Sequence, residues 1–173
     1  MFGNPLLRLA AAAYGLATKI GTWLQPVFLL IIRLYWGWQF FMTGKGKLGD
    51  IGKVTNFFQS LGIPFPHLNA YLAGCTECFG GLILLVGLGS RVTTLPLIVT
   101  MIVAYITASP DAVKNIFSKP DDFVTADPFL FLLTAVIVFL FGPGPLSLDG
   151  LIGYVLKKRA ATVTAPVAEK SAA

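Results

Sequence analysis

Apolar residues gather into four blocks along the chain and do not alternate with polar ones as they would in a half-buried strand. The first, residues 23–42, is broken by Gln25, Arg33 and Gln39, and the second, residues 68–88, by Asn69, Thr76 and Glu77. The third, residues 92–108, has Pro96 in its opening turns, where a missing N–H is best tolerated. The fourth starts at "DPF", with Asp127 placed as an N-cap and Pro128 as first helical residue, and runs to Phe141 before "GPGP" ends it. A helix needs roughly 20 apolar residues to cross about 30 Å of hydrocarbon. Three blocks meet that length. The fourth does so only if it begins earlier, near Phe123, or crosses a thinned bilayer. The pattern predicts an all-α chain, a transmembrane four-helix bundle with both termini on one side.

The flanks have a different texture. In residues 1–22, Leu6, Leu9, Ala13, Leu16 and Ile20 recur at steps of three and four, while Arg8 and Lys19 share the opposite face, the mark of an amphipathic interfacial helix. Arg8 interrupts the apolar run and no clean small-residue cleavage site follows, which argues against a secretory signal. After the fourth block, "LSLDGL" reads as the capped start of a short C-terminal interfacial helix, with Ser147 or Asp149 as the cap. Residues 157–173 open on "KKR" and continue as a small-residue stretch predicted to be disordered. The organisation is therefore an N-terminal amphipathic segment (1–22), a four-helix transmembrane domain (23–156) and a basic tail (157–173).

Composition supports a membrane chain. Of the 173 residues 55% are hydrophobic and 12% charged, and mean hydropathy is +0.77, outside the usual globular range. The net charge of +5 needs no nucleic acid, because juxtamembrane lysines near anionic lipid account for it. Lys and Arg favour the side that carries the termini by seven to five, which predicts cytoplasmic N- and C-termini in a bacterial inner membrane.

The chemistry concentrates in "GCTECFGGLILLVGLGSR", residues 74–91. Counted from the apolar starts of the first two blocks, Arg33 lies ten residues in and Glu77 nine, so both fall near the midplane and should pair. Such a pair is either glue between helices or a site that faces a cavity. Gly74, Gly80, Gly81 and Gly87 clear two faces of the second helix for close approach. Cys75 and Cys78 form a Cys-x-x-Cys pair inside an apolar helix, with no strand before it; they are redox candidates, with packing as the alternative. No metal site is expected, since two thiols and a distant His67 leave a closed ligand set incomplete. "GLGSR" lacks the strand and the Lys-Ser/Thr of a phosphate cradle and reads as a turn between helices.

Five stretches together carry a resemblance: "LLIIRL" with Arg33, "GKGK" with Gly44 and Lys47, "FFQSLGIPFP" in the loop between the first two blocks, "ECFGGLILLVGLGSR" with Arg91, and "FGPGPLSLDGL". In this order and spacing the chain resembles the DoxX family of membrane proteins over about residues 29–151. The resemblance implies a four-helix membrane bundle, with Arg33, Lys47, Glu77 and Arg91 on the family's polar positions and Asp127 near a position where many members carry Glu. It also implies a link to quinone and sulfur-compound redox chemistry, as in the thiosulfate:quinone oxidoreductase subunits, or to thiol homeostasis. Cys75 and Cys78 depart from the family pattern.

Three readings remain open. In the first, the chain is a quinone-linked redox subunit with no intrinsic cofactor: Arg33 donates to the ring, Glu77 takes a proton, Tyr35 and Trp36 supply aromatic walls, and Lys45 and Lys47 attract an anionic reductant. In the second, it is a structural or assembly component, partnered by other membrane subunits or by copies of itself, and the same charges are glue. In the third, it carries a small molecule, for which the sequence shows no broken-helix pair or internal repeat.

Overall fold

The computed structural model describes residues 5–164, and every regular element in that range is a helix. In chain order they are α1 (Pro5–Gly49), α2 (Ile51–Ser60), α3 (Pro66–Val86), α4 (Ser90–Ala108), α5 (Pro110–Lys114), α6 (Pro120–Thr125), α7 (Pro128–Phe141) and α8 (Leu148–Thr164). Three of them, α1, α3 and α4, are long and apolar enough to cross a membrane, and α7 is apolar but only 14 residues long. Helix α1 packs on α3, α3 on α4, α4 on α7, and α7 returns to α1. The core between them is built from Phe40, Leu84, Leu97, Met101, Ala135 and Val138.

The third and fourth apolar blocks became α4 and α7 almost residue for residue, and Asp127 with Pro128 does open α7, although the Asp127 side chain makes no capping bond. Two expectations about the flanks change. The N-terminal segment and the first block are one helix, since Pro26 interrupts no more than a single N–H and the helix carries on through it. Likewise α8 continues through Lys157, Lys158 and Arg159 to Thr164, so this part of the tail is helical; residues 165–173 lie outside the described range.

The close approach predicted from glycines is present. A Cβ on Gly44 would lie 2.7 Å from the Cα of Cys78, one on Gly81 would lie 2.5 Å from the amide nitrogen of Phe41, and one on Gly37 would lie 2.9 Å from that of Leu85. Helices α1 and α3 thus touch backbone to backbone, as small residues permit in lipid. Gly80 opens the other face, towards the Leu97 side chain of α4. These contacts fix the antiparallel register: each residue forward along α1 is met by one residue back along α3.

That register decides where the buried charges lie. Arg33 comes level with Gly89, in the turn between α3 and α4, and Glu77 level with Lys45, near the far end of α1. Twelve residues separate the two levels, about 18 Å along the axis. The midplane pair expected from the sequence is therefore not formed, because α1 starts far earlier than its apolar block and the blocks do not begin in one plane.

Candidate functional site

Glu77 is 1% exposed and pairs with Lys47, not with Arg33. The pairing follows from local geometry: Lys47 is in the last turn of α1, three residues beyond Gly44, and Gly44 lies against the backbone of Cys78. The Lys47 ammonium donates to Glu77 Oε1. Glu77 Oε2 is buried and has no hydrogen-bond partner. An unsatisfied carboxylate oxygen in an apolar interior is costly, and its retention calls for an explanation.

Above the pair lies a cavity of about 380 Å³ between α2, α3 and α4, within the range of small-molecule sites. Lys47 and Glu77 are its charged residues, and its walls are otherwise mostly apolar, with Leu72 and Ala73 from α3 and Val99, Val103 and Ala104 from α4. Its cover is α2. Val54, Phe57, Phe58 and Leu61 recur at the spacing of one helical face, and all four line the cavity, while Lys53, Asn56, Gln59 and Ser60 do not. Asp50 starts α2 by accepting from the backbone N–H of Lys53 at 3.1 Å, and Gly62 ends it with φ of 71°. The two phenyl rings sit 6.2 Å apart, tilted by 49°.

The other expected residues are elsewhere. Arg33, 2% exposed, donates through Nη1 to the Pro143 carbonyl at 2.6 Å and through Nη2 to the Leu146 carbonyl at 2.5 Å. It clamps the segment between α7 and α8. Arg91 adds a bond to the Leu140 carbonyl at 3.3 Å. Asp149 completes the clasp in an unforeseen way: its carboxylate accepts from the backbone N–H groups of Gly89 and Ser90 and so caps α4, while Ser147 caps its own helix by accepting from Gly150. Tyr35 and Trp36 are also remote from the cavity, with Trp36 edge-on to Phe131 at 4.9 Å. Asp127 heads α7 and does not line the cavity. Cys75 and Cys78 are unpaired; Cys78 is buried against α1, Cys75 is half-buried, and neither lines the cavity. Among the described residues no group of three or more His, Cys, Asp or Glu side chains could hold a metal ion.

Sequence reasoning thus named Glu77 and Lys47 but missed Phe57, Phe58 and the rest of the α2 cover. The signal was present in Val54, Phe57, Phe58 and Leu61, whose spacing marks an amphipathic helix in what reads as a loop.

These observations define an all-helical integral membrane protein in which a buried carboxylate, paired with a half-buried lysine, lines an apolar cavity. The family model for DoxX matches residues 28–110. The chain is 30% identical over 123 residues to the protein named "Putative oxidoreductase CatD" from Bacillus subtilis, a match covering 71% of this chain and 85% of that one. It is 28% identical over 134 residues to an uncharacterized protein of Haemophilus influenzae, covering 73% and 83% respectively. The chain belongs to the DoxX family. No solved structure matches it.

Proposed function

We propose that the chain is a quinone-linked redox subunit of the membrane, and that its ring site is the cavity above Lys47 and Glu77. The observation that carries this reading is the unpartnered Glu77 Oε2, buried in an otherwise apolar cavity beside a lysine. A quinone fits such a donor set. Its ring oxygens need one donor in the oxidised form and one acceptor in the reduced form, and Lys47 and Glu77 offer one of each. The oxidoreductase name carried by CatD points in the same direction.

When bound, a quinone supplies two-electron, two-proton chemistry at its ring oxygens. The protein's part is to hold and protonate. Glu77 Oε2 would take one proton from a hydroquinone as it is oxidised or return one as a quinone is reduced, and Lys47 would donate to the other ring oxygen, where the second proton is exchanged. Phe57 and Phe58 cover the ring, and α2 keeps water from the carboxylate. Val99 and Val103 offer an apolar path for a tail. Electrons enter from a partner subunit or from a small anionic reductant drawn by Lys45 and Lys47. On this reading the protein works in a bacterial inner membrane, its termini cytoplasmic as the lysine and arginine distribution suggests, with other membrane subunits or further copies of itself.

The test is bound-lipid mass spectrometry and binding of a short-tailed quinone analogue, with wild type beside Glu77→Gln and Lys47→Gln, and melting curves for all three. Quinone that co-purifies with or binds to wild type and is lost at least tenfold in variants that still melt cooperatively supports the site. Absence of quinone binding to a folded wild type overturns it. Binding by a folded Glu77→Gln protein equal to that of wild type removes the site from this cavity.

A further inference from the structure

The first 24 residues of α1 that the structure describes, 5–28, touch little else; Leu29 is the first buried residue of that helix. They extend about 36 Å past the bundle, and Leu6, Leu9, Tyr14, Leu16, Ile20 and Trp23 are all at least half exposed. Where this extension leaves the bundle, an open groove of about 850 Å³ runs between α1 and the clasped segment at Pro145 and Leu146. Trp23, Pro26, Val27 and Leu146 form its apolar part, and Lys19 is its cation. The hydroxyls of Thr18 and Thr22 are engaged with carbonyls one turn back, at 2.8 and 2.9 Å, which leaves the Lys19 ammonium as the strong donor.

Charge distinguishes this end from the other. Besides Arg33, which is engaged by carbonyls, it carries among the described residues Arg8, Lys19, Arg91, Lys157, Lys158 and Arg159 against one acid, Asp149, whose carboxylate is bonded to the start of α4. At the opposite end, five lysines, at positions 45, 47, 53, 114 and 119, face six acids, at 50, 77, 111, 121, 122 and 127. A second copy seated on the basic end about a two-fold axis would bring these cations against themselves. An anionic membrane lipid complements them.

We infer that the groove binds an anionic phospholipid, with its phosphate on Lys19 and an acyl chain along Trp23, Val27 and Leu146. Helix α8, which packs little on the bundle beyond its first turn, adds its basic triplet to the same lipid surface. The groove lies at the opposite end from the Lys47 and Glu77 cavity, so lipid binding there stands or falls separately from the redox reading.

The experiment is native mass spectrometry of the full-length protein in neutral detergent, titrated with phosphatidylglycerol, phosphatidylcholine or inorganic phosphate. Phosphatidylglycerol should bind in preference to phosphatidylcholine, and inorganic phosphate should not displace it. Lys19→Gln should weaken phosphatidylglycerol about fivefold, Lys19→Arg should keep it, and Lys119→Gln, at the other end, should leave it unchanged. Equal binding of both lipids, indifference to Lys19→Gln, or competition by inorganic phosphate would overturn the inference. So would a lipid-independent dimer cross-linked through Lys19.

Discussion

Two glycines on the last turns of α1 make opposite predictions from the same substitution. At Gly44 a Cβ would stand 2.7 Å from the Cα of Cys78 and 2.8 Å from the carbonyl carbon of Glu77, both backbone atoms that no rotamer change can move. The amide nitrogen of Cys78 would be nearer still, and ordinary contact begins at 3.4 Å, so α1 and α3 must part by more than 0.7 Å there. Overpacking of that kind costs about 1–3 kcal/mol. It also pulls Lys47 away from Glu77, since the substituted residue is one turn from the lysine and touches the backbone of Glu77 itself and of Cys78. At Gly46 a Cβ meets nothing within 4 Å. Gly46→Ala removes only backbone freedom and should stabilise by about 0.5–1 kcal/mol. Unfolding of Gly44→Ala and Gly46→Ala in mixed detergent micelles, followed by circular dichroism, measures both. Gly44→Ala should lower the midpoint, Gly46→Ala should hold or raise it, and only the former should impair quinone binding. If the two substitutions shift the midpoint equally, the backbone contact between α1 and α3, and with it the register that places Glu77, is wrong.

Other predictions follow from single contacts. Arg33→Lys keeps the charge but one ammonium cannot reproduce a fork onto two carbonyls, so a loss of about 1.5–3 kcal/mol is expected; faster proteolysis between residues 142 and 148 would report it, and unchanged stability would refute the clasp. Asp149→Ala exposes the first N–H groups of α4 and should cost about 1 kcal/mol, with Asp149→Asn milder, both read from the same unfolding curves. Phe57→Ala should weaken binding of a quinone analogue about fivefold through lost ring contact while leaving stability nearly intact, because α2 contributes no buried residue. A membrane-permeant maleimide should label Cys75 in the folded protein and reach Cys78 only after unfolding, by mass spectrometry of the labelled peptides.

Much of the fold was legible because lipid imposes a coarse rule. Apolar length alone located α3, α4 and α7 to within about two residues, and the "DP" and "GPGP" pairs fixed the ends of α7. The flanks were harder. A proline in an apolar run and a change from amphipathic to uniformly apolar residues are compatible with a break or with one long helix, and α1 is the second. For α2 the loop reading yielded to a four-position apolar stripe, a signal too short to outweigh the glycines and prolines around it.

The site failed in a more informative way. Placing Arg33 and Glu77 at one depth rested on counting from the apolar start of each block, and that origin is arbitrary when helices extend beyond the hydrocarbon. Glycine spacing is the better ruler. Gly37 and Gly44 on α1, and Gly74 and Gly81 on α3, are each seven residues apart, two turns of one face, and each clears a contact with the other helix. The two pairs interleave and do not face each other: Gly81 lies beside Phe41 and Gly74 beside Leu48, which sets Gly44 beside Cys78 and Gly37 beside Leu85. Glu77 then falls opposite the "GKGK" stretch and Arg33 beyond the end of α3. Charge pairing in the membrane is decided by which basic residue the backbone contact brings within reach, and here steric register assigns the carboxylate to Lys47 and leaves Arg33 to the carbonyls of the clasp.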